Sequence, residues 1–303
     1  MEKIQSAIAK ARAQREEVIS EKAVPPVTAA PRQPNFTLGE VASQPAAAEA
    51  FAEPSMPSSR MLSTDEVMGN WLRLPVHQPD PAHLQKRRIV TYLGGKEAVT
   101  FDVMRTKLLQ QMKANNWRRL AITSPSASCG KSTTCLNLAF SLARQTELRT
   151  VVAEVDLRRP SLAGMLGTTR KHSFADVLRK QSSFEENAFR VGNNLIFATN
   201  STSARNPSEL LQNANVPVAI SEIESRYEPT IILFDMPPMM VSDDAMAFVG
   251  QVDCVLLVAA AETTTIQEVD LCERELASQT NVLGVILNKC RYLDRKYGYS
   301  YYG

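Results

Sequence analysis

The segment Leu120-Ala-Ile-Thr-Ser124-Pro-Ser-Ala-Ser-Cys-Gly130-Lys131-Ser132-Thr133 decides the fold. A short aliphatic run reads as a strand, small residues as a loop, and Lys131–Arg144 as the helix that the loop opens. The first N–H groups of a helix have no intrahelical partner, and together with the helix dipole they make an anion site. Gly130 lets the backbone approach a phosphate closely, Lys131 can reach β- and γ-phosphates, and the Ser132 hydroxyl can ligate magnesium. Ser128, Cys129 and Thr133 complete the candidate nucleotide cradle. The pattern is a Walker A motif with one departure: Pro125 stands where the first consensus glycine belongs.

Outward from the loop, strands and helices alternate to the end of the chain. Strands are expected at Thr150–Val155, Leu195–Thr199, Thr230–Asp235, Cys254–Ala260 and Val282–Asn288. Helices are expected at 97–115, 175–180, 209–214, 216–227, 243–250 and 264–278. Runs such as Ile231-Ile-Leu-Phe234 are aliphatic without alternation, as in strands buried on both faces. The expected fold is therefore α/β: a doubly wound, mostly parallel sheet flanked by helices. Two strand ends carry acids, Glu154-Val-Asp156-Leu-Arg158-Arg-Pro160 and Phe234-Asp235-Met-Pro-Pro238. Ligands of open α/β sheets bind at the carboxyl ends of the strands. Asp156 and Asp235 are thus candidate magnesium ligands beside Ser132.

The chain has 303 residues, but ten of its 17 prolines precede residue 82 and residues 24–60 are mostly Ala, Pro, Ser, Glu and Gln. Such a stretch buries too little apolar surface to offset its ordering entropy. Four segments are expected: a short amphipathic helix over 1–22, a largely disordered linker over 23–94, a P-loop domain over 95–288 and a tail over 289–303. The apolar stripe Ile4, Ala7, Ile8, Ala11 suits either a solvated helix or a docking helix. Lysine and arginine (34) nearly balance aspartate and glutamate (32), which argues against nucleic acid as a partner. The longest clean apolar run, Cys254–Ala261, is too short to span a bilayer, and Met1–Glu21 has no apolar core of a secretory signal. A cytoplasmic location is expected. Five cysteines without a CxxC pair suggest reduced thiols and no zinc site.

As a set, these motifs resemble the bacterial tyrosine kinases of capsule and exopolysaccharide synthesis, within the P-loop group that also holds the MinD and ParA ATPases. The resemblance spans about residues 95–303. It rests on the loop at 123–133, the Glu154-x-Asp156-x-Arg158 segment, Asp235-Met-Pro-Pro238, Asn206-Pro-Ser-Glu-Leu-Leu211, and a terminus reading Tyr297-Gly-Tyr299-Ser-Tyr301-Tyr302-Gly303. Ser126 occupies the place of the extra lysine of MinD and ParA proteins, which favours the kinase branch. The resemblance implies ATP and Mg²⁺ as cofactors, Lys131, Glu154, Asp156 and Asp235 as the catalytic set, and Arg158 and Asn288 as further nucleotide contacts, with Asn288 near the adenine. It implies that Glu154 orients or deprotonates a tyrosine, and that Tyr297, Tyr299, Tyr301 and Tyr302 accept phosphate. It also implies a membrane-embedded polysaccharide chain-length or export protein as activator, recruitment to the inner face of the membrane, and a homo-oligomer.

Two departures stand out. The family's first aspartate of the second motif is Glu154, one methylene longer. The family's ring-forming Glu-x-x-Arg-x-x-Arg helix reads Val99-x-x-Asp102-x-x-Arg105, so only its last arginine remains. The rival readings are a nucleotide-dependent switch, or an assembly subunit without kinase activity. The tail favours the kinase: residues 289–303 hold four basic residues and one acid, and each phosphate adds roughly −1.5 to −2 charges.

Overall fold

The structure, a computed structural model, describes residues 62–291. The expected helix over 1–22, the Pro-rich arm as far as residue 61 and the tyrosine cluster lie outside the described residues. The architecture is one seven-stranded sheet. Its strands are β1 (Arg119–Thr123), β2 (Thr150–Glu154), β3 (Ala188–Val191), β4 (Leu195–Ala198), β5 (Ile231–Asp235), β6 (Cys254–Ala260) and β7 (Asn281–Asn288). Their order is β3-β4-β2-β5-β1-β6-β7, and every pairing is parallel except β3 with β4. The doubly wound α/β expectation therefore holds, with an antiparallel edge added.

Side-chain period two divides the core between the two faces of the sheet. In β1, Leu120 and Ile122 pack on one face and Ala121 on the other. In β5, Ile231 and Leu233 join the first face, Ile232 and Phe234 the second. Helices Val99–Ala114 and Lys131–Ala143 cover the first face, with Leu108, Met112, Leu136 and Phe140 inward. Helices Asn215–Tyr227, Asp244–Val249 and Ile266–Ala277 cover the second, with Ile220, Phe248 and Leu276 inward.

Residues 62–94 are not a linker, which corrects the expectation for that stretch. Helix Thr64–Arg73 is held by a Ser63–Glu66 capping box and buries Val67 and Trp71. The Trp71 indole N–H donates to the Tyr227 carbonyl at 2.7 Å, and Asn70 Nδ2 donates to the Arg226 carbonyl at 2.9 Å. The chain then passes the β3 edge, where Arg190 N donates to the Pro75 carbonyl and His77 N to the Arg190 carbonyl, each at 2.9 Å. After helix Pro81–Lys86 it reaches the opposite face. There Asn137 Oδ1 accepts from Val90 N at 2.8 Å, and Asn137 Nδ2 donates to the Arg88 carbonyl at 2.9 Å. This strap clips helix Asn215–Tyr227 to helix Lys131–Ala143 around one edge of the sheet. The Pro-rich composition of 24–60 does not extend into it: Trp71, Leu74, Leu84 and Ile89 supply enough buried apolar surface to hold it.

The sequence reading also lacked β3. Ala-Phe-Arg-Val is only four residues long, and its turn into β4 rests on Gly192 at φ 66°. Within the described residues, the expected helices and remaining strands fall within three residues of those observed.

The strap predicts its own energetics. Trp71→Ala should lower the unfolding free energy by about 3–5 kcal/mol, the range for truncating a large buried aromatic. Denaturant titration of the full chain measures it. A loss below about 1 kcal/mol, the size of a surface change, would mean the strap is not part of the fold.

Candidate nucleotide site

β2, β5 and β1 lie side by side, and their carboxyl ends deliver the three parts of the site. In register, Ile122 of β1 and Glu154 of β2 both stand beside Asp235 of β5. The loop leaving β1 is braced on both flanks. Thr123 Oγ1 donates to the Pro237 carbonyl at 2.7 Å, and Met239 N donates to the Ser124 carbonyl at 2.9 Å. On the other side Asn288 Nδ2 donates to the Cys129 carbonyl at 2.9 Å. Gly130 has φ 99°, and a Cβ built on it would stand 2.1 Å from Asn288 Nδ2, so glycine is required there. Ser128 also takes a left-handed φ, 64°, a conformation that costs a side-chain-bearing residue of order 1 kcal/mol. This places strain in the anion loop.

At the first residue of helix Lys131–Ala143, Lys131 Nζ donates to Asp156 Oδ2 at 2.7 Å and stands 4.0 Å from Asp235 Oδ1. Burial alone would lower the Lys131 pKa, but Asp235 and Asp156 outweigh it and hold the ammonium above its ordinary value. Asp235 is fully buried, which raises its pKa against the pull of Lys131. No donor makes a full hydrogen bond to either carboxylate oxygen, although the nearby Ser132 hydroxyl also pulls its pKa down. A buried carboxylate without donors is costly unless a cation completes its shell. That orphaned group, with the Ser132 hydroxyl on the adjacent helix turn, suits a magnesium ion shared with nucleotide oxygens. Among the described residues no group of three or more His, Cys, Asp or Glu side chains could hold a metal by itself. A metal here would need ligands from a nucleotide.

Three expected site residues have partners within the protein. Glu154 is fully buried, and its Oε1 accepts from Ser161 N and Leu162 N at 2.6 and 2.7 Å. Its Oε2 accepts from Asn200 N at 2.7 Å. Burial lifts its pKa to about 7 against the pull of these three donors. With both oxygens engaged and no exposure, this carboxylate would have to leave its backbone donors to meet a tyrosine hydroxyl, as its expected role as base requires. The longer side chain reaches past the cleft and pins the start of the segment after Pro160. Asn288 is likewise occupied, through Cys129 and through Lys289 N, which donates to its Oδ1 at 2.8 Å. Through the first of these bonds it braces the loop.

Arg158 grips Asp244 through two hydrogen bonds at 2.9 and 3.0 Å, beside a cavity of about 440 Å³ that Ser208 and Asp243 also line. Burial would raise the Asp244 pKa, but Arg158 and Ser208 outweigh it and hold it below the ordinary range. So Arg158, through Asp244 and its partner Ser208, links the second motif to the Asn206–Leu211 segment. Asp244 and Asn200 escaped the sequence reading. The Asp243-Asp244 pair opening a helix was the one visible signal, and nothing local marks Asn200.

The departure at Asp102 is also explained. Its carboxylate accepts from Ser141 Oγ at 2.6 Å and pairs with Arg144 and Arg105 inside the same subunit. The last arginine of the expected ring-forming motif, Arg105, also donates to the Ser141 carbonyl at 2.7 Å.

With this geometry in hand, the chain can be set beside known proteins. A family model for the CobQ/CobB/MinD/ParA nucleotide binding domain matches residues 120–296. The tyrosine-protein kinase wzc of Salmonella typhi is 31% identical over 203 residues, which is 66% of this chain and 27% of that protein. The tyrosine-protein kinase YwqD of Bacillus subtilis is 28% identical over 206 residues, 67% of this chain and 85% of that protein. The solved kinase domain of the Escherichia coli tyrosine kinase ETK matches with a TM-score of 0.60 at 25% identity, covering 68% of this chain and 82% of that one. The chain therefore spans about a quarter of the length of relatives such as wzc.

Two outcomes test the site. Gly130→Ala should abolish nucleotide binding in calorimetric titration while the circular dichroism spectrum is unchanged; retained affinity would mean the loop does not need its φ of 99°. Glu154→Gln should lower stability by about 1–3 kcal/mol, because its amide N–H₂ must face a buried backbone N–H. A variant as stable as the parent would show that the three N–H bonds do not hold the segment.

Proposed function

Since this chain belongs to the CobQ/CobB/MinD/ParA nucleotide-binding family, we propose that it is an ATP-dependent protein-tyrosine kinase that phosphorylates its own C-terminal cluster, Tyr297, Tyr299, Tyr301 and Tyr302. The observation that carries the reading is the single ammonium of Lys131 set between Asp156 and Asp235 at the mouth of the anion loop. The match to wzc, a tyrosine-protein kinase, across 66% of the chain supports the choice of reaction.

Phosphoryl transfer depends mainly on positioning and charge neutralisation. The N–H groups at the start of helix Lys131–Ala143 would hold the phosphates, and Lys131 would follow the γ-phosphate away from Asp156. Ser132, Asp156 and Asp235 would hold magnesium, whose charge, when bound, offsets that of the transferred group. Lys131 Nζ now covers Asp156 Oδ2. Once uncovered, that oxygen is free to join the magnesium shell. The proposed activator is a membrane-embedded polysaccharide chain-length or export protein that recruits the chain to the inner face of the membrane. Among the described residues no helix is long and apolar enough to cross a membrane. A nucleotide switch without kinase activity is the second reading, favoured by the commitment of Glu154.

Phosphotyrosine mapping by mass spectrometry distinguishes them, with the activator's cytoplasmic segment supplied. The kinase reading expects phosphate on Tyr297–Tyr302, none in Lys131→Ala, and retained ATP hydrolysis when the four tyrosines become Phe. ATP hydrolysis without tail phosphate under the same conditions refutes it. Asp156→Asn and Asp235→Asn should each raise the Mg²⁺ concentration needed for turnover, since each removes a negative charge near the ion. Unchanged magnesium dependence in both would remove these acids from the metal shell.

A further inference from the structure

We propose that residues 296–302 return antiparallel along β7 as an added edge strand, laying their row of tyrosines over the exposed Val285 and Leu287. Among the described residues β7 pairs with β6 alone and is the edge of the sheet. Natural edges are blunted by short length, charge or proline. β7 is eight residues long, and Asn-Val-Leu-Gly-Val-Ile-Leu-Asn contains none of these. Val285 and Leu287 are 42% and 57% exposed. They stand in register with Leu257 and Ala259 of β6, and Leu257 belongs to the core on the face covered by helix Ile266–Ala277. That helix begins with Ile266, 87% exposed. The result is an uncharged, unpaired edge beside an apolar strip.

The segment at hand to cover it is the chain's own continuation. Twelve residues follow Arg291, starting where β7 ends, and Lys289 at φ 60° turns the backbone off the strand line. Tyr297-Gly298-Tyr299-Ser300-Tyr301 alternates large aromatic with small residues. That is the period of a strand with one apolar face, and tyrosine favours strands. A return through a loop of 289–295 sets Tyr297 opposite Leu287 and Tyr299 opposite Val285. Directly opposed residues of an antiparallel pair share a face, so both tyrosines land on the exposed strip. A shift of one residue would put Gly298 and Ser300 there and turn the aromatics to the other face. The tether raises the local concentration of the tail to the order of millimolar, an advantage no free partner has. Phosphate on Tyr297 or Tyr299 would place charge within the apolar strip and release the strand. The inference rests on β7 and the tail pattern, and stands or falls apart from the kinase reading.

Hydrogen exchange on the full, unphosphorylated chain tests it. Amides of Tyr297, Tyr299 and Tyr301, and those of β7 that do not bond to β6, should exchange at least about tenfold more slowly than in two comparison variants. One is Val285→Asn/Leu287→Asn; the other, Tyr297→Ser/Tyr299→Ser/Tyr301→Ser, leaves β7 untouched. Tail amides that exchange at unstructured rates in the parent chain would overturn the proposal. So would protection that rises with protein concentration, because the edge would then be covered by a second copy.

Discussion

A buried carboxylate that no donor satisfies is the constraint around which the site is arranged. Asp235 ends the central strand β5, fully buried, and its nearest compensating charge is Lys131 at 4.0 Å. An uncompensated ion in such a position would cost several kcal/mol. The ammonium is therefore held in place by need, and the glycine-bearing loop that aims it is braced at Pro237, Met239 and Asn288. The parallel order β2-β5-β1 matters because it puts all three parts within reach.

This arrangement makes Lys131 and Asp156 a pair for whose ammonium an incoming phosphate would compete. Their 2.7 Å hydrogen bond gives the ammonium an acceptor and the acid a donor. A nucleotide offers the ammonium a better anion and frees a carboxylate.

Most of the sheet was legible because aliphatic runs such as Ile231–Phe234 admit few other readings, and the loop was legible because its residue types serve one chemistry. What escaped depended on distance in the chain. Trp71 reads as an isolated aromatic in a Pro-rich region until Tyr227 is seen beside it. Glu154 reads as a base by analogy with an aspartate. Three backbone donors from Ser161, Leu162 and Asn200 hold both its oxygens. Arg158 is similar: its partner Asp244 lies 86 residues on. Local pattern gives the elements, but which side chain is already committed is settled only by packing.

The strap has a consequence for how the chain is made. Trp71 leaves the ribosome 156 residues before its hydrogen-bond partner Tyr227. During synthesis the helix around it carries a large apolar face with nowhere to dock. Contacts of such sequence separation slow folding, and surface left bare in the interval invites aggregation. The first helix of the strap is thus among the first described parts to be translated, and it waits for helix Asn215–Tyr227 before it can dock. Its burden falls on the nascent chain rather than on the finished protein.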